Sequence, residues 1–290
     1  MRTGADSVRQ ALSEWLESES TAVLIGESVG KGGGHGGTSQ GLATLFPGRV
    51  IDTPIADRTS FGLALGMALG GRPVAVELSS GRALLAIAEM LADAGRMAGT
   101  PFRPALTIRV PVGGEAGPVI DASAGDLLGA IGGLRVVCLT ADTAHSVLRG
   151  ALGSGVTVVL EPRSELAAAA SPVPATPIAH RVLSDGSHAT LLCWGPGVRA
   201  AVQAAATLAD EGISVRVIDL VSLSPLDPRV GQHVVDTGRL IAVHSTDSHL
   251  AQRVLGVALD EAFLYLESPP GDCAAHPEAI LDAVRESVFY

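Results

Sequence analysis

Residues 50–77 read VIDTPIADRTSFGLALGMALGGRPVAVE. Val50 and Ile51 form a short β-rich run that enters a turn at Thr53-Pro54. Asp57 then opens an apolar helix that carries Gly62, Gly66 and Gly70 at intervals of four. That spacing lines one helix face with bare backbone, which another element or a planar ligand can approach closely. After Gly70-Gly71, the run Pro73 to Leu78 reads as a second strand. The stretch is a strand–helix–strand unit with an acidic residue at its hinge. Two readings of Asp57 stay open on these residues alone: a carboxylate in an ordinary, tightly packed unit, or a ligand contact.

The rest of the chain extends the pattern. Ser7 to Glu19 reads as an amphipathic helix, with Ser7 and Gln10 as its capping box. Thr21 to Ile25 is a buried strand ending in Gly26-Glu27, and GESVGKGGGHGGTSQGL follows, with six glycines between Gly30 and Gly37. Backbone N–H groups of such a loop can cradle phosphate, but the spacing matches neither a P-loop nor a dinucleotide fingerprint. It reads as a flexible surface or interface loop. Further on, helices are predicted at 82–97 and 142–152, and strands at 104–110, 134–139 and 156–160, joined at 113–126 by a polar connection. Alternating strands and helices mean a mostly parallel sheet covered on both faces.

From Glu161 to His180 the periodicity stops, and SELAAAASPVPATPIAH reads as a linker. A second, smaller α/β pattern then follows. Strands fall at 189–194, 214–220 and 240–244, with helices at 198–211, 228–237 and from about 250 onward.

Composition narrows the function classes. The 290 residues suggest two domains, and 47% hydrophobic residues with only 3% aromatics imply a core of Ala, Val, Leu and Ile. A net charge of −10 disfavours nucleic acid and anionic membranes as partners. Cys138, Cys193 and Cys273 are scattered and read as buried thiols in a reducing compartment. No apolar run approaches the ~18 residues of a membrane span, and no signal pattern opens the chain. A cytoplasmic location is expected.

Taken in order, the motifs resemble one family along nearly the whole chain. They are GESVG at 26–30, Gly41-Leu42, RVIDTPIADRTSFGLALGMALGGRPVAVE at 49–77, GLRVV at 133–137, and VIDLVSLSPLDP with TGRLIAVH. The chain is similar to the β subunit of the thiamine-diphosphate-dependent component of 2-oxo acid dehydrogenase complexes. More broadly, it resembles the C-terminal half of transketolase. The resemblance implies two doubly wound α/β domains: a pyrimidine-binding domain at 1–165, a linker at 166–182 and a transketolase C-terminal-like domain at 183–290. It further implies an α-type partner in a heterotetramer. That partner would hold the cofactor diphosphate through Mg²⁺ by a Gly-Asp-Gly…Asn-Asn motif, which this chain lacks, so no metal ligand is expected here.

In that family an acid after TPI bonds N1′ of the pyrimidine and favours the imino tautomer that activates the thiazolium. The matching residue here is Asp57, one methylene shorter than the family's Glu. The resemblance also puts Ile55, Glu27 and Glu77 at the cofactor. Glu27 follows a buried strand, where an unpaired charge is costly, so it is expected to meet a helix N-terminus, the partner or the cofactor region.

The sequence departs from the family in several places. The family's His before Pro-Gly-Leu falls near Ile120, where this chain has no histidine. Leu78-Ser79-Ser80-Gly81 replaces the pocket aromatics, His35-Gly36 an apolar–Phe pair, and His244-Ser245 a His-Glu. His35 is the catalytic stand-in weighed for the missing histidine, and the other histidines read as structural, surface or turn residues.

The resulting expectation is a subunit that cleaves a C–C bond beside a carbonyl and passes the acyl or glycolyl unit to an acceptor, such as a lipoyl or carrier-protein thiol. The alternative is a catalytically degenerate subunit of the same fold that scaffolds the α-type partner. A nicotinamide- or flavin-binding protein is the third reading, and the loop spacing disfavours it.

Overall fold

The computed structural model describes residues 1–113, 127–128, 131–171, 173, 179–244 and 248–289. The polar connection at 114–126, including the position near Ile120, therefore lies outside the described residues. The chain divides into two compact units, Met1–Pro177 and Ile178–Tyr290.

In the first unit, helix α1 (Gly4–Ser18) starts three residues earlier than its apolar pattern suggests. Thr3 is the N-cap. Its hydroxyl accepts the Asp6 N–H at 3.1 Å while Asp6 Oδ2 accepts the Thr3 N–H at 2.9 Å, so the capping box is Thr3–Asp6 and not Ser7–Gln10. Ser7 lies buried inside the helix. Strands β1 (Val23–Gly26), β2 (Val50–Asp52), β3 (Val74–Glu77), β4 (Leu106–Val112), β5 (Arg135–Cys138) and β6 (Val156–Pro162) run in the order β5-β6-β4-β3-β1-β2. Every one of these pairings is parallel.

Parallel strands buried on both faces need apolar side chains both ways, and β1, β3 and β6 are buried at every position. One face carries Leu24, Ala75, Val137 and Val159 against Leu12 and Leu16 of α1 and Leu148 of α6 (Ala144–Ala151). Short helix α2 (Leu42–Leu45) and helix α3 (Asp57–Leu69) follow β1 and β2. Phe61 and Ala64 of α3 are fully buried, whereas Leu63 and Leu69 are exposed and no atom lies within 4 Å of a Cβ built on Gly66. Gly70 is the C-cap, so the small-residue face within the helix is Gly62 and Gly66.

The helix predicted at 82–97 is two, α4 (Ala83–Ala86) and α5 (Ala88–Met97), broken at Ile87. Arg58 Nε donates to the Ala86 carbonyl at 2.7 Å, which takes that acceptor away from a continuous helix. The stretch read as a linker is structured at its start. Helix α7 (Arg163–Ala167) follows β6, and Ala169 pairs with Thr3.

The second unit has strands β7 (His180–Ser184), β8 (Ala189–Cys193), β9 (Val215–Leu220), the short β10 (Ser222–Ser224), β11 (Leu240–His244) and β12 (Gly271–Ala274). The sheet order is β12-β11-β8-β9-β7, with β7 antiparallel to β9 and the other pairs parallel. Helices α8 (Pro196–Asp210), α9 (Arg229–Thr237), α10 (Ser248–Ala262) and α11 (Pro277–Phe289) complete it. Its core joins Leu191, Ala201, Leu208, Val217, Ile241 and Val284. Sequence reading gave no strand at β7 or β12 and no helix at α11. β7 is amphipathic and only partly buried, and β12 has no apolar run. Among the described residues no helix is long and apolar enough to cross a membrane.

Backbones approach closely where α5 passes the turn before β5. A Cβ on Gly95 would sit 2.6 Å from the Gly132 carbonyl oxygen, a contact that forces the backbone to shift. Gly95→Ala is expected to cost about 1–3 kcal/mol in urea unfolding, as overpacked cores do. At Gly99 an added Cβ meets nothing within 4 Å, so Gly99→Ala should stay within about 0.5 kcal/mol of wild type.

Candidate functional site

Polar residues collect where the parallel strands of the first unit end, the edge at which open α/β sheets bind ligands. Asp52, Gly26, Glu77 and Arg109 stand in one register row across β2, β1, β3 and β4. Arg109 is fully buried, and its guanidinium grips Glu161 of β6 with two bonds, Nε–H to Oε1 at 2.8 Å and Nη2–H to Oε2 at 2.9 Å. Its Nη1 lies 2.9 Å from Glu77 Oε2. Burial works against the Arg109 charge, but Glu161 and then Glu77 more than offset it, and the pKa rises. Burial pushes the Glu161 carboxyl up, and Arg109 pulls it back.

Glu77 carries this network into the glycine loop. Its Oε1 accepts the His35 backbone N–H at 3.1 Å, and its Oε2 accepts the Thr38 hydroxyl at 3.1 Å. On the far side, the Asp52 carboxylate accepts the N–H groups of Gly30 at 2.6 Å and Lys31 at 3.0 Å. The loop read as a flexible surface segment is in fact pinned at both ends. Gly34 adopts φ +71°, and a Cβ there would lie 2.5 Å from Ser39 Oγ and 3.1 Å from Glu77 Oε2. Only glycine fits that position. The loop spends these N–H groups on its own acceptors, so it is not a phosphate cradle.

His35 opens a short 3₁₀ turn, His35–Gly37. It is half-buried, where the sequence favoured an exposed residue, and its Nε2 is buried without a partner. Burial, then the nearby charge of Arg163, lowers its pKa below the ordinary histidine value.

A second group forms at the start of α3. Asp57 Oδ1 accepts the Ser79 N–H at 3.0 Å and Oδ2 accepts the Ser79 hydroxyl at 2.8 Å. Glu27, at the end of β1, senses both Asp57 and the backbone N–H of Ala56, the N-cap residue of α3. Glu27 Oε1 is buried and unpartnered. Burial and then Asp57 raise its pKa above the ordinary 4.5, with the Ala56 N–H opposing. Ile55 is 90% exposed.

The predicted site residues thus fall into two sets. Glu27 and Asp57 share the α3 start, with exposed Ile55 beside them. Glu77 is committed to Arg109 and the loop, so it supports the loop and leaves no oxygen without a partner, and His35 is joined to that set through its backbone. Arg109, Glu161 and Ser79 were not singled out from the sequence. A signal existed for the first two, since an Arg within TIRVPV and a Glu ending VTVVLE sit in apolar strands and must be paired. In the second unit, His180 and His233 are not simple surface residues. Their rings meet edge to face with Nε2 atoms 3.3 Å apart, and His180 Nδ1 lies 3.2 Å from Asp227. Among the described residues no cluster of three or more His, Cys, Asp or Glu side chains is arranged to hold a metal ion.

Residues 2–168 match the transketolase pyrimidine-binding domain and residues 179–287 the transketolase C-terminal domain. The chain is 31% identical to the pyruvate dehydrogenase E1 component subunit β of Acholeplasma laidlawii, over 91% of this chain and 86% of that protein. It is 30% identical to the subunit of the same description from Leifsonia xyli subsp. xyli, over 98% and 89%. By fold it is similar to a protein described as a split-gene transketolase, inactive β4 tetramer. The TM-score is 0.78 at 19% identity, covering 98% of this chain and 97% of that one. A Pichia stipitis transketolase solved with sedoheptulose 7-phosphate gives a TM-score of 0.76 at 13% identity, covering 99% of this chain and 46% of that one.

Two outcomes follow from this geometry. Arg109→Met leaves Glu77 and Glu161 buried with no countercharge, and urea unfolding should show a loss of about 3–5 kcal/mol. Glu27 has a folded-state pKa above its unfolded value, so its proton stabilises the fold at low pH and that contribution is lost as pH rises through the folded value. Glu27→Gln should therefore melt higher than wild type at pH 7. The gap should close as the pH falls to about 4.5 and below, where both states of the wild type are protonated.

Proposed function

Because this chain belongs to the transketolase family, with a pyrimidine-binding domain followed by a C-terminal domain, we propose that it is the β-type subunit of a two-subunit, thiamine-diphosphate-dependent enzyme. The enzyme cleaves a C–C bond beside a carbonyl, in a 2-oxo acid or a ketose, and passes the acyl or glycolyl unit to an acceptor such as a lipoyl or carrier-protein thiol. The relatives described as pyruvate dehydrogenase E1 β subunits support the 2-oxo acid branch. An α-type partner supplies the Mg²⁺ and diphosphate site in a heterotetramer, and a reducing cytoplasm suits three cysteines that form no disulfide among the described residues.

The observation that carries this reading is the carboxylate pair at the start of α3. Glu27 and Asp57 lie close enough to raise the Glu27 pKa, and Glu27 Oε1 is a buried oxygen with no partner among the described residues. A buried polar atom without a partner is costly, and a heterocyclic nitrogen at this position satisfies it. The residues present therefore fit the edge of an aminopyrimidine. When bound, the cofactor supplies the carbanion that attacks the carbonyl and the electron sink for the bond cleavage. The chain's own residues bind and orient. The α3 start presents carboxyl oxygens to the ring edge, while Glu77 and Arg109 keep the glycine loop and His35 fixed beside the sheet. His35 Nε2, without a hydrogen-bond partner among the described residues, is available to hold a proton on a substrate oxygen.

A second reading draws on a different observation. Ser79 occupies both Asp57 oxygens, and no aromatic residue stands in the segment Leu78 to Ala86 directly after Glu77, so a degenerate subunit that only scaffolds its partner is the alternative.

Co-expression with a partner bearing the Gly-Asp-Gly…Asn-Asn motif separates the two. The expected result is a stoichiometric complex that binds thiamine diphosphate and turns over a 2-oxo acid or ketose. A complex that forms but binds no thiamine diphosphate overturns the enzyme reading in favour of the scaffold.

A further inference from the structure

We propose that His180 and His233 of the second unit form a two-imidazole site for a divalent cation of the Zn²⁺ class, with Asp227 orienting the first ligand and water completing the shell. The inference concerns a different part of the chain and stands apart from the thiamine-diphosphate reading.

The spacing of the two rings carries it. Two Nε2 atoms bound to one tetrahedral Zn²⁺ at about 2.0–2.1 Å stand about 3.3–3.4 Å from each other. The Nε2 atoms of His180 and His233 are 3.3 Å apart. Their rings meet edge to face, with 74° between the planes, so the nitrogens approach without stacking. As the pair stands, one Nε2–H donates to the other nitrogen. A cation takes the place of that shared hydrogen once each ring turns its lone pair toward it.

Both residues are held from behind. His233 lies in α9, and its carbonyl accepts the Thr190 hydroxyl at 3.0 Å and an Arg216 N–H at 3.1 Å. His180 opens β7, the edge strand of its sheet, and its Nδ1 lies 3.2 Å from Asp227 Oδ2. That contact is off the line of a hydrogen bond. The negative charge still favours the proton on Nδ1, which leaves the Nε2 lone pair for a metal, the order found in carboxylate–histidine–metal arrays. Hydrogen bonds from Arg229 hold the Asp227 carboxyl down at about 2, so it is charged wherever a neutral histidine can bind metal.

The surrounding charges admit a cation. Arg216 faces His233 but is engaged by Asp185 and Asp236, and Arg229 is engaged by Asp227. Three carboxylates thus stand against two guanidiniums. Burial, then His180 and Arg216, lowers the His233 pKa and favours the neutral ring that metals require. Imidazole nitrogens suit Zn²⁺, Cu²⁺ or Ni²⁺, whereas Mg²⁺ and Ca²⁺ take oxygen ligands. With two protein ligands the site is more open than a four-residue structural zinc centre. A cation here ties the edge strand β7 to α9 and braces the second unit.

The test titrates the full chain, stripped of metal with a chelator, with Zn²⁺ and with Mg²⁺ by calorimetry while imidazole nitrogen NMR signals are followed. Wild type should take up one Zn²⁺, shift the Nε2 signals of His180 and His233, and melt at a higher temperature, and Mg²⁺ should do none of these. His180→Ala and His233→Gln, the second keeping the side-chain bulk, should each weaken Zn²⁺ binding by roughly 10-fold or more, and Asp227→Asn by about 10–100-fold. His276→Ala, at an exposed position, should bind as wild type does. Affinity should fall below about pH 6.5, as the imidazoles take up protons. Zn²⁺ that leaves both Nε2 signals in place at millimolar concentration overturns the site, and the two rings are then a hydrogen-bonded couple only. Variants at 180 and 233 that bind as tightly as wild type overturn it equally.

Discussion

The first unit depends on one buried guanidinium. Arg109 sits at the centre of a parallel sheet with no exposed surface and links β4 to β3 through Glu77 and to β6 through Glu161. A lone charge there would cost several kcal/mol in desolvation, so the three side chains are stable only as a set. Two carboxylates around one cation leave an excess of negative charge. The His35 N–H and the Thr38 hydroxyl offset it by donating to Glu77. The sheet and the glycine loop are thus one electrostatic unit, and Gly34 lacks a side chain because Glu77 and Ser39 need the space.

This arrangement divides the acids by role. Glu77 and Glu161 are enclosed and hold the scaffold, while Glu27 and Asp57 stand at the strand–helix junction, at the carboxyl edge of the sheet where open α/β folds generally take ligands. The junction keeps two acids at different stages of satisfaction. Ser79 completes Asp57, and nothing among the described residues completes Glu27 Oε1. Sites that take a ligand retain such unfinished groups, whereas structural networks close on themselves.

Most of the strand–helix order was legible because apolar periods of two and of roughly four residues separate cleanly in this Ala- and Val-rich chain. Asp57 was visible because it opens an apolar helix after a strand and turn, and Glu27 because it follows a buried strand. What escaped had physical reasons. The clamp from Ser79 joins residues far apart in sequence, and serine carries no periodic signal. Arg109 and Glu161 hid inside apolar runs, where the pattern speaks of burial and not of pairing. β7 and β12 lack an apolar stripe, and the α4–α5 break comes from a tertiary bond by Arg58. The glycine loop looked flexible because glycine content alone does not show which carboxylates will hold it.

The central claim is that the carboxyl pair at the start of α3 faces a bound pyrimidine. A crystal structure of the complex with its partner and thiamine diphosphate tests it most directly. The account predicts N1′ within about 2.6–3.2 Å of a carboxyl oxygen of Glu27 or Asp57. A pyrimidine seated away from both carboxyls, or a complex that binds no thiamine diphosphate, would contradict it.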